Sequence, residues 1–263
     1  MGDAVAQGRR VMFISRYPAL PMKRQTPALV FVVLVAVGFS LWFFLKPDPQ
    51  SNALRVREIA TRGLAEHLAR THPGKSVLII SNPFTQRQDT AKAIVETEQA
   101  GIRGLREGFG ASISVAAVDF PELRPEAREN PRTLLADVET TTPLSYLVEP
   151  GAFDQLAGKH ANCEIIVSLV GLPLDVARSE VWKAAGAPWF ALLLPDLKII
   201  GDASAVKSAV KSGKLAAFVL VRPGAPGDDV TPGRDWKAEF EKRFLLVTAE
   251  SVEQVMQAHP GLF

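Results

Sequence analysis

One cysteine and four histidines stand among 263 residues. The single thiol, Cys163, excludes an intrachain disulfide and any cysteine-cluster metal or iron–sulfur centre. It precedes an apolar run and reads as an inert buried group. His67 and His72 are five apart rather than four, which rules out a His-Glu-x-x-His zinc motif. His160 and His259 stand near expected helix ends, where a solvated histidine is ordinary. No Gly-x-Gly-x-x-Gly follows a strand candidate, because Gly101, Gly104, Gly108 and Gly110 come late in a helix and its exit. The phosphate loop and the Gly-x-Ser-x-Gly elbow are also missing; Ser168 sits in VSLVG without the preceding glycine. Neither charge sign dominates: 30 basic and 28 acidic residues leave a net charge of +2. With no Arg/Lys–aromatic stripe, that balance argues against nucleic acid as a partner. No metal and no cofactor is expected.

What the chain does have is an uninterrupted apolar run at residues 28–45 (ALVFVVLVAVGFSLWFFL), 18 residues without a charge. A helix of that length rises about 26 Å, near the hydrocarbon thickness of a bilayer. A buried core helix would keep a polar edge, and this run offers only Gly38 and Ser40. Arg9, Arg10, Arg16, Lys23 and Arg24 precede it against Asp3 alone. The basic segment 1–27 is therefore expected in the cytoplasm and the C-terminal bulk outside it, in the periplasm where the cell has an outer membrane. No small-x-small cleavage site follows Trp42-Phe43-Phe44, so the run reads as a retained, single-pass signal anchor. The lipid bilayer is the first expected partner.

Beyond it, residues 46–74 read as a linker and a membrane-proximal helix over 54–71, ended by His72-Pro73-Gly74. This helix either packs on the domain or forms a stalk. Residues 75–263 then alternate apolar runs with amphipathic stretches. Strands are expected over 76–81, 113–120, 164–170, 189–194, 215–221 and 244–248, and a helix capped by Asp175 over 175–185. Five prolines mark residues 121–150 as an irregular excursion. Near-continuous apolar strands between helices predict a Rossmann-like, three-layer α/β sandwich with a mostly parallel sheet of five or six strands.

In such a sheet, ligands bind beyond the carboxyl ends of the strands. That rule selects Ser81, Asn82 and Thr85 after the first strand, Asp119 after the second, Asp196 after the fourth and Arg222 after the fifth. Each has a plainer reading. Asn82 or Thr85 can cap a helix start, Asp119 can pair with Arg124 or Arg128, Asp196 has Lys198 beside it, and Arg222 can be a surface loop residue. Nothing adds up to a catalytic set.

Residues 75–223 resemble one lobe of the periplasmic binding-protein fold of sugar-repressor-type and amino-acid-type receptors. The likeness rests on GIRGLREGFGASISVAAVD (residues 101–119) and KSGKLAAFVLVRPG (residues 211–224). Members of that group carry two lobes around a cleft, whereas this sequence presents one. The resemblance implies ligand contact at Ser81, Asn82, Asp119 and Arg222. Three functions follow from these readings. The first is a membrane-tethered extracytoplasmic binding or sensing domain without catalysis, for a small polar solute or an envelope protein. The alternatives are a structural or assembly subunit of an envelope complex, and an enzyme with a non-motif site at the strand ends.

Overall fold

The computed structural model describes residues 49–134, 140 and 142–263. The basic segment 1–27 and the apolar run 28–45 lie outside them. Among the described residues no helix is long and apolar enough to cross a membrane. Helix α1 (Pro49–Thr71) starts five residues before the expected Leu54, and a proline's missing N–H costs nothing in a first turn. It packs on the sheet, burying Ile59, Leu64 and Leu68 to 1% exposure or less.

Six strands follow: β1 (Ser76–Ile80), β2 (Ser114–Asp119), β3 (Ile165–Ser168), β4 (Trp189–Leu193), β5 (Leu215–Val221) and β6 (Phe244–Val247). They form one sheet in the order β2-β1-β3-β4-β5-β6. The first five are parallel, and β6 closes the edge antiparallel to β5. Successive side chains of a strand face opposite ways, so a strand covered on both sides must be apolar throughout. Val77 and Ile79 of β1 join Ile165, Val167, Ala191 and Val219 in one core, under α1 and helix α2 (Lys92–Phe109). Leu78 and Ile80 join Ile166, Phe190, Leu192 and Phe218 in the other. The edge strand β2 is the exception, with Ser114 and Ala116 exposed.

The remaining helices are α3 (Pro125–Glu129), α4 (Leu144–Leu147), α5 (Ala152–Lys159), α6 (Glu180–Lys183), α7 (Ala203–Lys211), α8 (Trp236–Arg243) and α9 (Val252–Ala258). Helices α5, α7 and α9 cover the second core through Phe153, Val206, Val210 and Val252. The continuous helix expected over 175–185 is not formed. It divides into a 3-10 turn (Val176–Arg178) and α6, because Ser179 is extended and the Asp154 carboxylate accepts from Glu180 N (3.1 Å) and Val181 N (2.7 Å). Asp175, expected as the cap, instead accepts from Gly151 N at 2.9 Å.

The excursion at 121–150 leaves β2 and returns to its own base. Leu123 pairs antiparallel with Val148, and Glu149 N donates to Glu122 O at 2.8 Å. Between these ends Thr142 and Ser145 are buried against the turn after β3.

Candidate functional site

In a sheet of this order the crossovers leave β1 and β3 toward opposite faces, so the crevice between their carboxyl ends is where a ligand is expected. Here the chain itself closes the β3 side of that crevice. Gly171, at φ +81°, lies so close to the excursion that a Cβ on it would meet Thr142 Cβ at 2.8 Å and Ser145 Oγ at 2.9 Å. Farther along, the Thr140 hydroxyl donates to Asp196 Oδ2 at 2.8 Å, over the end of β4.

The six strand-end residues are each engaged within the fold. Ser81 is fully buried and donates to Glu98 Oε2 at 2.8 Å. Glu98 also accepts from Arg57 Nη2 at 2.6 Å, which makes a partly buried chain from the end of β1 through α2 to α1. Asn82 caps the 3-10 turn Pro83–Gln86, its side chain accepting from Phe84 N at 2.9 Å. Thr85 donates to Asn82 O at 2.7 Å. Asp196 caps Leu197–Ile199, accepting from Lys198 N at 3.1 Å; the partner is that residue's backbone rather than its ammonium. Arg222 turns back to the end of α8 and the start of β6, donating through Nε to Glu241 O (2.8 Å) and through Nη2 to Phe244 O (3.2 Å). Ser81 N and Asp119 O share a backbone hydrogen bond of 3.0 Å. No side-chain-to-side-chain hydrogen bond joins any two of the six among the described residues.

Asp119 pairs with neither Arg124 nor Arg128. Its Oδ2 accepts from Lys159 Nζ and His160 Nε2, both at 2.7 Å, and its Oδ1 from Phe120 N at 2.9 Å. Burial alone would raise its pKa; the hydrogen bonds from Lys159, His160 and Phe120 N–H, with the Lys159 charge, outweigh it and hold the carboxyl at about 2. A carboxylate depressed in the folded state stabilises the fold above its unfolded pKa near 4, and that stabilisation disappears as pH falls toward 2. Asp119→Asn is therefore expected to flatten the melting temperature against pH between about 4 and 2, as read by circular dichroism. Lys159 and His160 lie 40 and 41 residues from Asp119, and no sequence spacing announces them. Arg57 and Glu98 were equally hidden, being 41 residues apart on two helices.

Four surface hollows stand out among the described residues, one of them, about 460 Å³, between the first turns of α1 and α2. A cleft of about 370 Å³ at the ends of β1 and β2 is lined by Gln86, Arg87, Phe120, Glu122 and Arg128. Its guanidinium groups face carboxylates, Arg87 to Asp89 at 2.9 Å and Arg128 to Glu122 at 2.6 Å. A groove of about 660 Å³ between α1, α2 and α8 includes His67, Arg70, Trp236 and Phe240. The largest, about 1030 Å³, lies at the opposite ends of β3, β4 and β5, between the turn after α6 and helix α7. Trp182, Trp189, Ala209 and Lys214 line it. Burial lowers the Lys214 pKa, and its ammonium donates to Val181 O at 3.3 Å.

No protein-family model matches this chain. No curated protein sequence matches it either. Solved structures do. An ABC transporter periplasmic solute-binding protein from Actinobacillus succinogenes 130z with bound D-allose aligns at 13% identity and a TM-score of 0.40, covering 75% of this chain and 62% of that one. AraP, an arabinose-binding protein from Geobacillus stearothermophilus, aligns at 11% identity and a TM-score of 0.40 over 76% of this chain and 62% of its own. The XylFII–LytSN complex aligns at 8% identity and a TM-score of 0.42 over 74% and 60%. The chain spans less than two thirds of the length of each of these three.

Chemically, the charged strand-end groups are engaged within the fold: Asp119 by Lys159 and His160, Asp196 by a hydroxyl and a backbone N–H, Arg222 by backbone carbonyls. The Asp119–His160 contact orients an imidazole, but Lys159 shares the same carboxylate oxygen. Among the described residues no hydroxyl or thiol side chain is hydrogen-bonded to the His160 ring. The larger open surfaces are the grooves along the helical layers and at the far ends of the strands.

Proposed function

We propose that this chain is a membrane-tethered extracytoplasmic binding domain, without catalysis, that engages an envelope protein through its surface rather than enclosing a solute. Residues 28–45 are its anchor and residues 1–27 its cytoplasmic end. The observation that carries this reading is the crevice closed on its β3 side: Thr142 and Ser145 occupy the space over Gly171 where a sheet of this order offers its ligand site. The internal hydrogen bonds of Ser81, Asp119, Asp196 and Arg222 support the same reading. A second reading, a small polar solute, is supported by the cleft at β1 and β2. There the Phe120 ring and the carboxylate–guanidinium pairs offer an apolar face beside hydroxyl-binding groups, in a volume suited to a monosaccharide.

Full-length protein in nanodiscs, titrated calorimetrically with D-allose and arabinose, separates the two. The surface-binding reading expects no saturable heat from either sugar. It also expects a stoichiometric cross-link to one envelope protein from a photoreactive group placed at Trp182, within the largest groove. Saturable sugar binding that Phe120→Ala or Arg128→Ala abolishes would replace the first reading with the second.

A further inference from the structure

Helix α1 runs antiparallel to the strand it precedes, so its N-terminus lies at the carboxyl end of the sheet. Two contacts fix it there: Asn52 Nδ2 donates to Asp228 O in the loop after β5 (3.1 Å), and Gln50 Nε2 to Glu96 Oε2 in α2 (2.9 Å). Only three residues separate Leu45, the last of the anchor run, from Pro49. Fully extended, that stretch reaches about 14 Å, and the headgroup layer outside the hydrocarbon already fills roughly 5–8 Å of it.

The large apolar side chains exposed among the described residues are Ile94, Leu174, Val221 and Val230, at 42, 41, 51 and 41%. All four belong to this same end. Ile94 stands in the first turn of α2, Leu174 in the turn after β3, Val221 at the last position of β5 and Val230 in the loop that follows. Isolated exposed apolar residues are ordinary anywhere on a protein surface. Their confinement to the one end that carries the tether is not. Arg87, Lys92 and Arg222 lie among Asp89, Glu122 and Asp228 there, so the charge is mixed and insertion of apolar side chains, rather than net positive charge, is what this end offers a bilayer.

We infer that the carboxyl end of the sheet docks on the outer lipid surface, with Leu174, Val221 and Val230 entering the headgroup region and Ile94 at the margin. The inference rests on the anchor reading of residues 28–45. It places the β1–β3 crevice toward lipid and leaves the groove with Trp182 and Trp189 facing away from it.

The test uses the full chain in nanodiscs of phosphatidylcholine and phosphatidylglycerol, on a Cys163→Ala background. Single fluorescent labels are placed through Leu174→Cys, Val230→Cys, Ser212→Cys and Ala36→Cys. Lipids spin-labelled near the headgroup are expected to quench the labels at 174 and 230 at least tenfold more than the label at 212, which ends α7 at the opposite side of the sheet. Deeply spin-labelled lipid is expected to quench the label at 36. Quenching at 36 with none above the 212 level at 174 and 230 overturns the docking and leaves the anchor standing. Absence of quenching at 36 removes the anchor and the docking with it. Labels at 174 and 230 shielded from an aqueous quencher but untouched by lipid quenchers would mean that a protein covers this end, which also overturns the inference. A Leu174→Asp/Val230→Asp variant, read through a Val221→Cys label, is expected to lose its lipid quenching while the melting temperature is kept.

Discussion

Gly104→Ala is expected to cost about 2–3 kcal/mol of stability, the upper part of the range for overpacking a core. For a domain of this size that lowers the melting temperature by about 4–12 °C. Helices α1 and α2 cross at Gly104 and Gly108. A Cβ at Gly104 would overlap the Glu58 carbonyl and the Thr61 hydroxyl, and one at Gly108 would stand 2.5 Å from Arg62 O and 2.6 Å from Ala65 Cβ. Backbone atoms of a helix cannot rotate out of the way as a side chain can, so the helices must separate. Separation strains Leu64, Leu68, Leu105 and Phe109, which share the core beneath them. Gly158→Ala is the control. It sits on the exposed side of α5 with nothing within 4 Å of its Cβ, and the same change there is expected to stabilise by about 0.4–1 kcal/mol through the unfolded chain. Thermal and urea unfolding of both variants read the opposite signs. Equal effects at the two positions would show that the helix crossing is not tight.

Arg243→Met should be costlier, about 3 kcal/mol, the low end for breaking a buried pair, because Glu239 loses its nearest partner but keeps Lys242 Nζ at 3.6 Å. Arg243 is 1% exposed and is held on all sides. Its Nε donates to Glu239 Oε2 (3.0 Å), Nη1 to Pro226 O (2.9 Å) and Nη2 to Val230 O (2.8 Å). A planar guanidinium serves all three directions at once, and an ammonium does not, so Arg243→Lys is expected to recover little. Burial pushes the Glu239 carboxyl up, but hydrogen bonds from Arg243 and Gly233 N–H, with the Lys242 charge, bring it below its ordinary value. Its contribution is therefore present above the usual carboxylate range and lost as pH falls through it. The difference between wild type and Arg243→Met is expected to be largest at neutral pH and to narrow below about pH 4. Limited proteolysis should also show new cleavage between Arg222 and Gly233, because the loop carbonyls lose their common donor. A gap that stays constant with pH would mean that Glu239 is not the partner that matters.

Much of this fold was legible in the residues. Strands β1, β3, β4 and β5 are covered on both faces, so each is an apolar run, too short for a buried helix and bounded by turn residues. Strand order and the reversed direction of β6 were not legible, since apolar runs carry no record of which neighbour they pair with. The break before α6 comes from Asp154, a residue of another helix, and local propensity across 175–185 does not see it. The site was harder still. Topology placed Ser81, Asp119, Asp196 and Arg222 at strand ends, but their partners come from elsewhere: Glu98 from the body of α2, Lys159 and His160 from the end of α5, and Thr140 from the excursion. Whether a strand-end polar residue is free or spent depends on those distant segments, and only the folded chain brings them together.

The hydrogen bond from Glu149 N to Glu122 O closes the excursion at its root, so its two ends leave the domain side by side. Segments inserted between fixed, adjacent ends change length cheaply, at about 0.6 kcal/mol for each doubling. That freedom stops at Leu144 and Val148, which pack into the core beneath the sheet. A change of length confined to the part of the excursion before them would alter the cover without moving the register of any strand.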